Sequence, residues 1–337
     1  MGPTGRSRIV QIHPTRRCNL RCLHCYSSSG PEERGELSAS LLRDALTDAA
    51  AAGYTVAGFS GGEPTLYRSL REVLEHARSQ GLLTTVTSNG MLLDERRLAI
   101  LTGAVDLLAI SLDGIPASHN RMRADPRAFA TMESRLDGVR SSGIPFGFIF
   151  TLTQHNLHEL PWVTEFALAQ GAGLLQIHPL EEAGRAAERL PGGRPDGIET
   201  SYAFLLAHEL QEQVGERLRI QLDLVSRQQL AERPACVFAE AGEADCGRPF
   251  AELVSPLIVE ADGQVVPLEY GFTRELALGR LGDARLSDLM ESWRRDRLPE
   301  FRRLCRHALA AITAVTETPL TNWYEAVREA GLRQAVA

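Results

Sequence analysis

Three cysteines, Cys18, Cys22 and Cys25, stand within eight residues in a C-x3-C-x2-C array. Three thiolates so close together can face one iron–sulfur cube, and three ligands for four irons leave one iron open to a reactant. His24 lies between the last two cysteines and keeps a zinc site as an alternative, because CxxC fragments often hold zinc. A finger-like zinc site asks for a further CxxC or HxxxH pair, and the rest of the chain has neither. Incidental thiols in a loop are the third possibility. Three more polar motifs follow at intervals: Gly61-Gly62-Glu63, Ser88-Asn89-Gly90 and Ser111-Leu112-Asp113-Gly114. Taken singly, each reads as a turn.

The elements around these motifs give them a common setting. Arg8–His13, Tyr54–Ser60, Leu82–Ser88, Val105–Leu112, Ile144–Leu152 and Gly173–Leu180 read as strands. Between them, Ser38–Ala52, Arg68–Gln80, Asp94–Thr102, Pro126–Ser141 and Leu157–Gln170 read as helices, the first with Ser38 as N-cap and Gly53 as stop. Alternation of this kind predicts an α/β fold with a parallel sheet and right-handed crossovers, doubly wound or closed part-way as a (β/α)6 partial barrel. The cysteines and the three polar motifs then end the first four strands in succession, on the sheet edge where ligands bind in such folds.

The pattern changes near residue 185. Glu181–Glu199 is rich in Gly, Pro, Ala, Glu and Arg and reads as a linker. A helix over Ser201–Glu216 and a short strand over Arg219–Leu224 follow. Leu253–Glu260 and Gln264–Leu268 form a hairpin about Asp262-Gly263. Leu286–Trp293, Leu298–Ile312 and Asn322–Ala330 read as helices. We therefore expect a core over 1–185, a linking and helical segment over 186–250, and a small α+β module over 251–337.

Composition narrows the function classes. With 43 acidic against 36 basic residues, the formal charge is -7, which argues against a general nucleic-acid binder. No apolar run approaches the ~18 residues that cross a bilayer, and the N-terminus has no signal-like apolar stretch. A cytoplasmic chain whose six cysteines stay reduced is the expectation.

The CxxxCxxC array after the first strand resembles the signature of the radical S-adenosylmethionine (SAM) superfamily, and the order of the other three motifs strengthens the likeness over about residues 8–180. The resemblance implies a [4Fe-4S] cluster on Cys18, Cys22 and Cys25, with S-adenosyl-L-methionine on the fourth iron. It implies one-electron cleavage of SAM to methionine and a 5′-deoxyadenosyl radical, which abstracts hydrogen from substrate. It also implies SAM contacts from His24, Gly61, Gly62, Glu63, Ser88, Asn89, Ser111 and Asp113, with Gly61–Glu63 at the SAM amino group. Arg121 and Arg123 are candidates for a carboxylate, and His155, His158 and His178 for substrate contacts. An external electron donor of flavodoxin or ferredoxin type is a further implication.

Leu253–Trp293 is similar to the SPASM/twitch extension of many such enzymes, whose further cysteines hold auxiliary clusters. That hairpin normally runs Gly-x4-Cys, but Gly263 is followed by Leu268. Leucine cannot ligate iron, and Cys236, Cys246 and Cys305 are scattered, so the expectation is a degenerate module without an auxiliary cluster. One of those thiols could instead return a hydrogen atom to a substrate radical. Three functions stay open: a maturase acting on a ribosomally made precursor peptide; a small-molecule enzyme of tetrapyrrole or antibiotic synthesis, since the cysteine segment and Gly35–Ser38 look like haem-pathway members; and a binding protein that no longer cleaves SAM.

Overall fold

The structure, a computed structural model, describes residues 7–239, 247–315 and 318–336. Its strands are β1 (Ile9–Ile12), β2 (Val56–Phe59), β3 (Leu83–Ser88), β4 (Leu107–Ser111), β5 (Phe146–Leu152) and β6 (Leu174–Pro179), then β7 (Arg219–Leu222), β8 (Val225–Ser226), β9 (Leu257–Val259), β10 (Gln264–Pro267), β11 (Gly279–Arg280) and β12 (Leu320–Thr321). Helices alternate with them: α1 (Ala39–Ala51), α2 (Leu70–Ser79), α3 (Glu95–Leu101), α4 (Pro116–Arg123), α5 (Ala128–Glu133), α6 (Leu136–Ser141) and α7 (Leu160–Ala169). The remainder are α8 (Arg185–Arg189), α9 (Gly197–Val214), α10 (Arg227–Glu232), α11 (Phe250–Leu253), α12 (Leu286–Asp296), α13 (Leu298–Ala314) and α14 (Trp323–Val336).

Among the described residues, ten strands form one sheet in the order β11-β10-β9-β1-β2-β3-β4-β5-β6-β7. Strands β1 to β7 are all parallel, and the linear order leaves the array open, as a partial barrel. The expected strand over Arg219–Leu224 is β7, which extends the core sheet beyond β6. On the other edge the hairpin of β9 and β10 joins the same sheet, β9 running parallel to β1. The sheet therefore continues across the boundaries expected near 185 and 251.

Period-two alternation sorts the strand side chains. Val10, Ile12, Phe148, Phe150, Leu175 and Ile177 are at most 1% exposed and belong to the main apolar core. Their alternates Gln11, Ile149, Thr151, Gln176 and His178 line a cavity on the other face. One face thus buries apolar area and the other presents polar groups.

Local signals set the helix ends. The Ser38 hydroxyl accepts from Leu41 N and caps α1, and Gly53 follows with a φ of 90°. Asp48 on α1 is 8% exposed, and takes the Arg285 guanidinium at 2.7 Å and the Ser287 amide at 3.1 Å, which ties α1 to the start of α12. The single helix expected over Pro126–Ser141 is two, α5 and α6, and the segment before it, for which no element is expected, holds α4, with Pro116 in its first turn and Ala124 left-handed at its end.

Phe148 contacts the rings of Phe146 and Phe166 in the core. Phe148→Ala should lower unfolding free energy by about 3–5 kcal/mol in denaturant titration. A loss under about 1 kcal/mol would mean that this face is not the packed one.

Candidate active site

The cysteine loop leaves β1 and docks, backbone to backbone, on the turn after β2. The Gly62 amide donates to Thr15 O and the Glu63 amide to Arg17 O, each at 2.9 Å. No side chain fits between them: a Cβ on Gly61 would lie 2.7 Å from Thr15 O, and one on Gly62 would lie 2.2 Å from Arg17 O. Gly61 also holds a φ of 112°, which L side chains avoid. Both glycines line the cavity, but what excludes a side chain is the cysteine loop itself.

Glu63 is fully buried, and its carboxylate is filled from within the protein. One oxygen accepts from the Thr65 hydroxyl at 2.8 Å and the Ser88 hydroxyl at 2.9 Å, and the other from the Asn89 amide at 2.9 Å. Burial raises its pKa, while the donors from Asn89, Thr65 and Ser88 oppose the rise. Asn89 in turn donates through its side-chain amide to Asn19 in the cysteine loop at 2.8 Å. The chain of bonds runs from the glycine turn through the end of β3 back to the cysteines.

A strap closes the loop from outside. Gly184 has a φ of 54°, and a Cβ there would meet Tyr26 O at 2.1 Å. The Arg185 amide donates to Cys25 O at 2.9 Å, and its guanidinium reaches Cys22 O at 2.9 Å and Ser29 O at 2.8 Å. The expected linker over Glu181–Glu199 is thus built in part as a clamp, with α8 inside it. Leu23 N also donates to Met122 O at the end of α4 at 2.8 Å.

Cys18 and Cys22 are buried and Cys25 is half-buried. Burial pushes the Cys18 thiol up to about 12, with the Glu63 charge adding to it, and burial likewise raises Cys22. Thiols held neutral in this way become good ligands only when a metal takes the proton's place. Arg123 stands beside them: its Nη1 is 3.8 Å from Cys22 Sγ, and its Nε donates to Asp113 at 2.6 Å. Burial would raise the Asp113 pKa, but Arg123 and the neighbouring His24 and His119 hold it down at about 2. His24 Nε2 is 3.9 Å from the other Asp113 oxygen, and burial lowers that imidazole to about 4. Among the described residues, no three His, Cys, Asp or Glu side chains close on one point as ligands of a single ion. All three thiols line one cavity.

That cavity holds about 400 Å³, in the range that takes a small organic molecule. Of the expected residues, Cys18, Cys22, Cys25, His24, Gly61, Gly62, Ser88, Asn89 and Ser111 line it. Glu63 and Asp113 stand behind the wall, where they hold Ser88, Asn89 and Arg123. The Ser88 and Asn89 side chains are engaged in the bonds above, whereas the Ser111 hydroxyl makes no hydrogen bond among the described residues. Arg123 and His178 reach the cavity; Arg121, His155 and His158 are exposed away from it. Cys305 is in the core of α13 and Cys236 closes a short turn at Pro234–Cys236, and neither lines the cavity, so neither thiol is placed there to return a hydrogen atom. Cys246 lies outside the described residues. Leu268 is buried on the wall with a left-handed φ of 68°. Sequence reasoning missed Tyr26, Asp223, Glu269, Tyr270 and Arg185. Only Tyr26, next to Cys25, carried a local signal.

Gly62→Ala should push the cysteine loop off the glycine turn. Alkylation of the Cys18 and Cys22 thiols should then run about an order of magnitude faster than in the unchanged chain. Equal rates would mean that the loops are not held by this approach.

Comparison with known proteins bears on the same segment. Residues 12–167 match the profile of the Radical SAM superfamily. Fe-coproporphyrin III synthase of Methanosarcina barkeri is 32% identical over 183 residues, 53% of this chain and 46% of its own length. The PqqA peptide cyclase of Rhodopseudomonas palustris is 31% identical over 185 residues, 54% of this chain and 49% of its own. The chain spans about half the length of these relatives. Among solved structures, Streptococcus suis SuiB bound to precursor peptide SuiA superposes with a TM-score of 0.67 at 16% identity, over 87% of this chain and 66% of that one. anSMEcpe with bound AdoMet superposes with a TM-score of 0.64 at 18% identity, over 97% of this chain and 98% of that one. At these identities the likeness is one of fold. Residues 12–167, which carry the four strand-end motifs gathered on one rim, are thus similar to the radical SAM superfamily.

Proposed function

We propose that this chain is a radical SAM enzyme that modifies a peptide by abstracting a hydrogen atom from it. The observation that carries the reading is the convergence of three thiols, the Gly61–Gly62 turn and the Ser111 hydroxyl on one cavity beside a buried arginine. Three thiols lining one cavity suit a [4Fe-4S] cube, in which each thiolate would take its own iron. A cluster held by Cys18, Cys22 and Cys25 would supply the one electron that cleaves SAM to the hydrogen-abstracting 5′-deoxyadenosyl radical.

The residues of the chain do the positioning. Cys18, Cys22 and Cys25 hold the cluster on a loop locked by the glycine turn and the Arg185 clamp. Arg123, oriented by Asp113, sets a fixed positive charge near Cys22, where bound thiolates add negative charge. Gly61, Gly62, His24 and Ser111 offer the remaining surface to SAM. Tyr26, Tyr270 and Leu268 shield the site from water. The likeness to PqqA peptide cyclase supports a peptide as substrate, and an external flavodoxin- or ferredoxin-type donor would supply the electron.

We read the last third as a SPASM/twitch-like module that has lost its auxiliary cluster, because Leu268 stands at the sequence position, five residues after Gly263, where the resemblance calls for a cysteine. Anaerobically reconstituted chain should therefore carry about four irons, and about eight would overturn that part. With dithionite and SAM it should form 5′-deoxyadenosine. Cys22→Ala should form none and retain little iron. An iron-loaded, unchanged chain that forms no 5′-deoxyadenosine would refute the enzymatic reading.

A further inference from the structure

A second set of side chains, none of them a cluster ligand, shapes the cavity wall. His178 at the end of β6 lies between two carboxylates: its Nδ1 is 3.1 Å from Asp223 Oδ2 and its Nε2 is 3.0 Å from Glu181 Oε1. Both ring nitrogens face acceptors, so both carry hydrogen and the ring is an imidazolium, in keeping with its strongly raised pKa. Asp223 is then filled, since Gln176 and Gln221 donate to it at 2.6 and 3.0 Å. Two acceptors are left over. Glu181 Oε2 takes no hydrogen bond among the described residues. Glu269, six per cent exposed and on the cavity wall, takes none at either oxygen. The nearest cation to Glu269 is Arg328, whose Nε is 2.5 Å away but out of line for a hydrogen bond, and which also faces Glu325 at 3.8 Å.

The wall thus carries three carboxylates against one imidazolium, with Arg328 behind it. A buried carboxylate without donors costs free energy that an incoming N–H group relieves. Burial and the neighbouring Glu181 push the Glu269 carboxyl well above its usual range, and Arg328 opposes that rise. Tyr26, Tyr270 and Tyr324 line the same cavity, and aromatic rings attract cations. An anionic group would meet like charge and lose its own hydration.

We infer that Glu181 and Glu269 bind a cationic nitrogen of the substrate, an alkylammonium or a guanidinium, and so select the substrate that is placed for hydrogen abstraction. The inference rests on the enzymatic reading above and specifies its substrate class.

The test uses reconstituted holoenzyme with SAM and saturation-transfer NMR titrations of four probes: n-butylamine, butyrate, and the capped tripeptides acetyl-Ala-Lys-Ala-amide and acetyl-Ala-Glu-Ala-amide. The amine and the lysine peptide should each bind at least about tenfold more tightly than the acidic counterpart. Glu269→Gln and Glu181→Gln should each reduce that preference at least about threefold. The second variant serves if the first fails to fold. Tighter binding of the lysine peptide than of butylamine assigns the group to a peptide, and the reverse assigns it to a small amine; both uphold the inference. Equal binding of acid and amine, or full preference in the variants, overturns it. The same preparation reports separately on the enzymatic reading: 5′-deoxyadenosine without amine preference refutes only this inference, and amine preference without 5′-deoxyadenosine refutes only that reading.

Discussion

The site depends on the hydrogen bonds that the cysteine loop receives from outside itself. The loop has no helix or ladder of its own to satisfy its peptide groups, yet it is largely buried, and buried carbonyls need donors. Thr15 and Arg17 receive amides from Gly62 and Glu63, and Cys22, Cys25 and Ser29 receive Arg185. The loop closes on itself as well, through Cys18 N to Gly30 O and Gly30 N to Arg16 O. Remove the donors on either side and the thiols lose their fixed directions, whatever metal is supplied.

A second constraint is the management of buried charge. Asp113 and Arg123 are nearly inaccessible, and a buried pair contributes little unless its geometry is good, whereas a buried single charge is costly. Here the geometry is good, and the arginine is left with a second hydrogen-bonding arm toward Cys22. Glu63 shows another solution: a buried carboxylate filled by four donors from two neighbouring loops. Glu269 has Arg328 beside it but no hydrogen-bond donor among the described residues.

The identity of the site was legible early, and its directions were not. The cysteine spacing, the Ser38 cap and the Asp262-Gly263 turn are local signals and led to the observed elements. Glu63 and Asp113 were expected to meet a ligand, because a motif specifies a residue type and not where its side chain points. Both turn inward, Glu63 to the amides and hydroxyls of Thr65, Ser88 and Asn89 and Asp113 to the Arg123 guanidinium. The helix α4 was missed because Pro116–Arg123 is polar and short, and its C-terminal turn depends on a left-handed alanine that no propensity marks. The acidic wall was invisible because Glu181, Asp223 and Glu269 come from three separate segments, brought together by the pairing of β6 with β7 and of β9 with β1. Such long-range pairings leave little trace in local pattern.

The pairing of β9 with β1 also orders events in time. Where β1 gives way to the cysteine loop, the His13 amide donates to Val259 O at 2.9 Å, so the first strand is completed by one of the last to be synthesised. Until β9 has been synthesised, the loop can meet its glycine turn but not this partner. Contacts so far apart along the chain form late in folding. The complete setting of the thiols accordingly requires a chain made at least through β9, and one truncated before β9 would present its cysteines on a strand with an open edge.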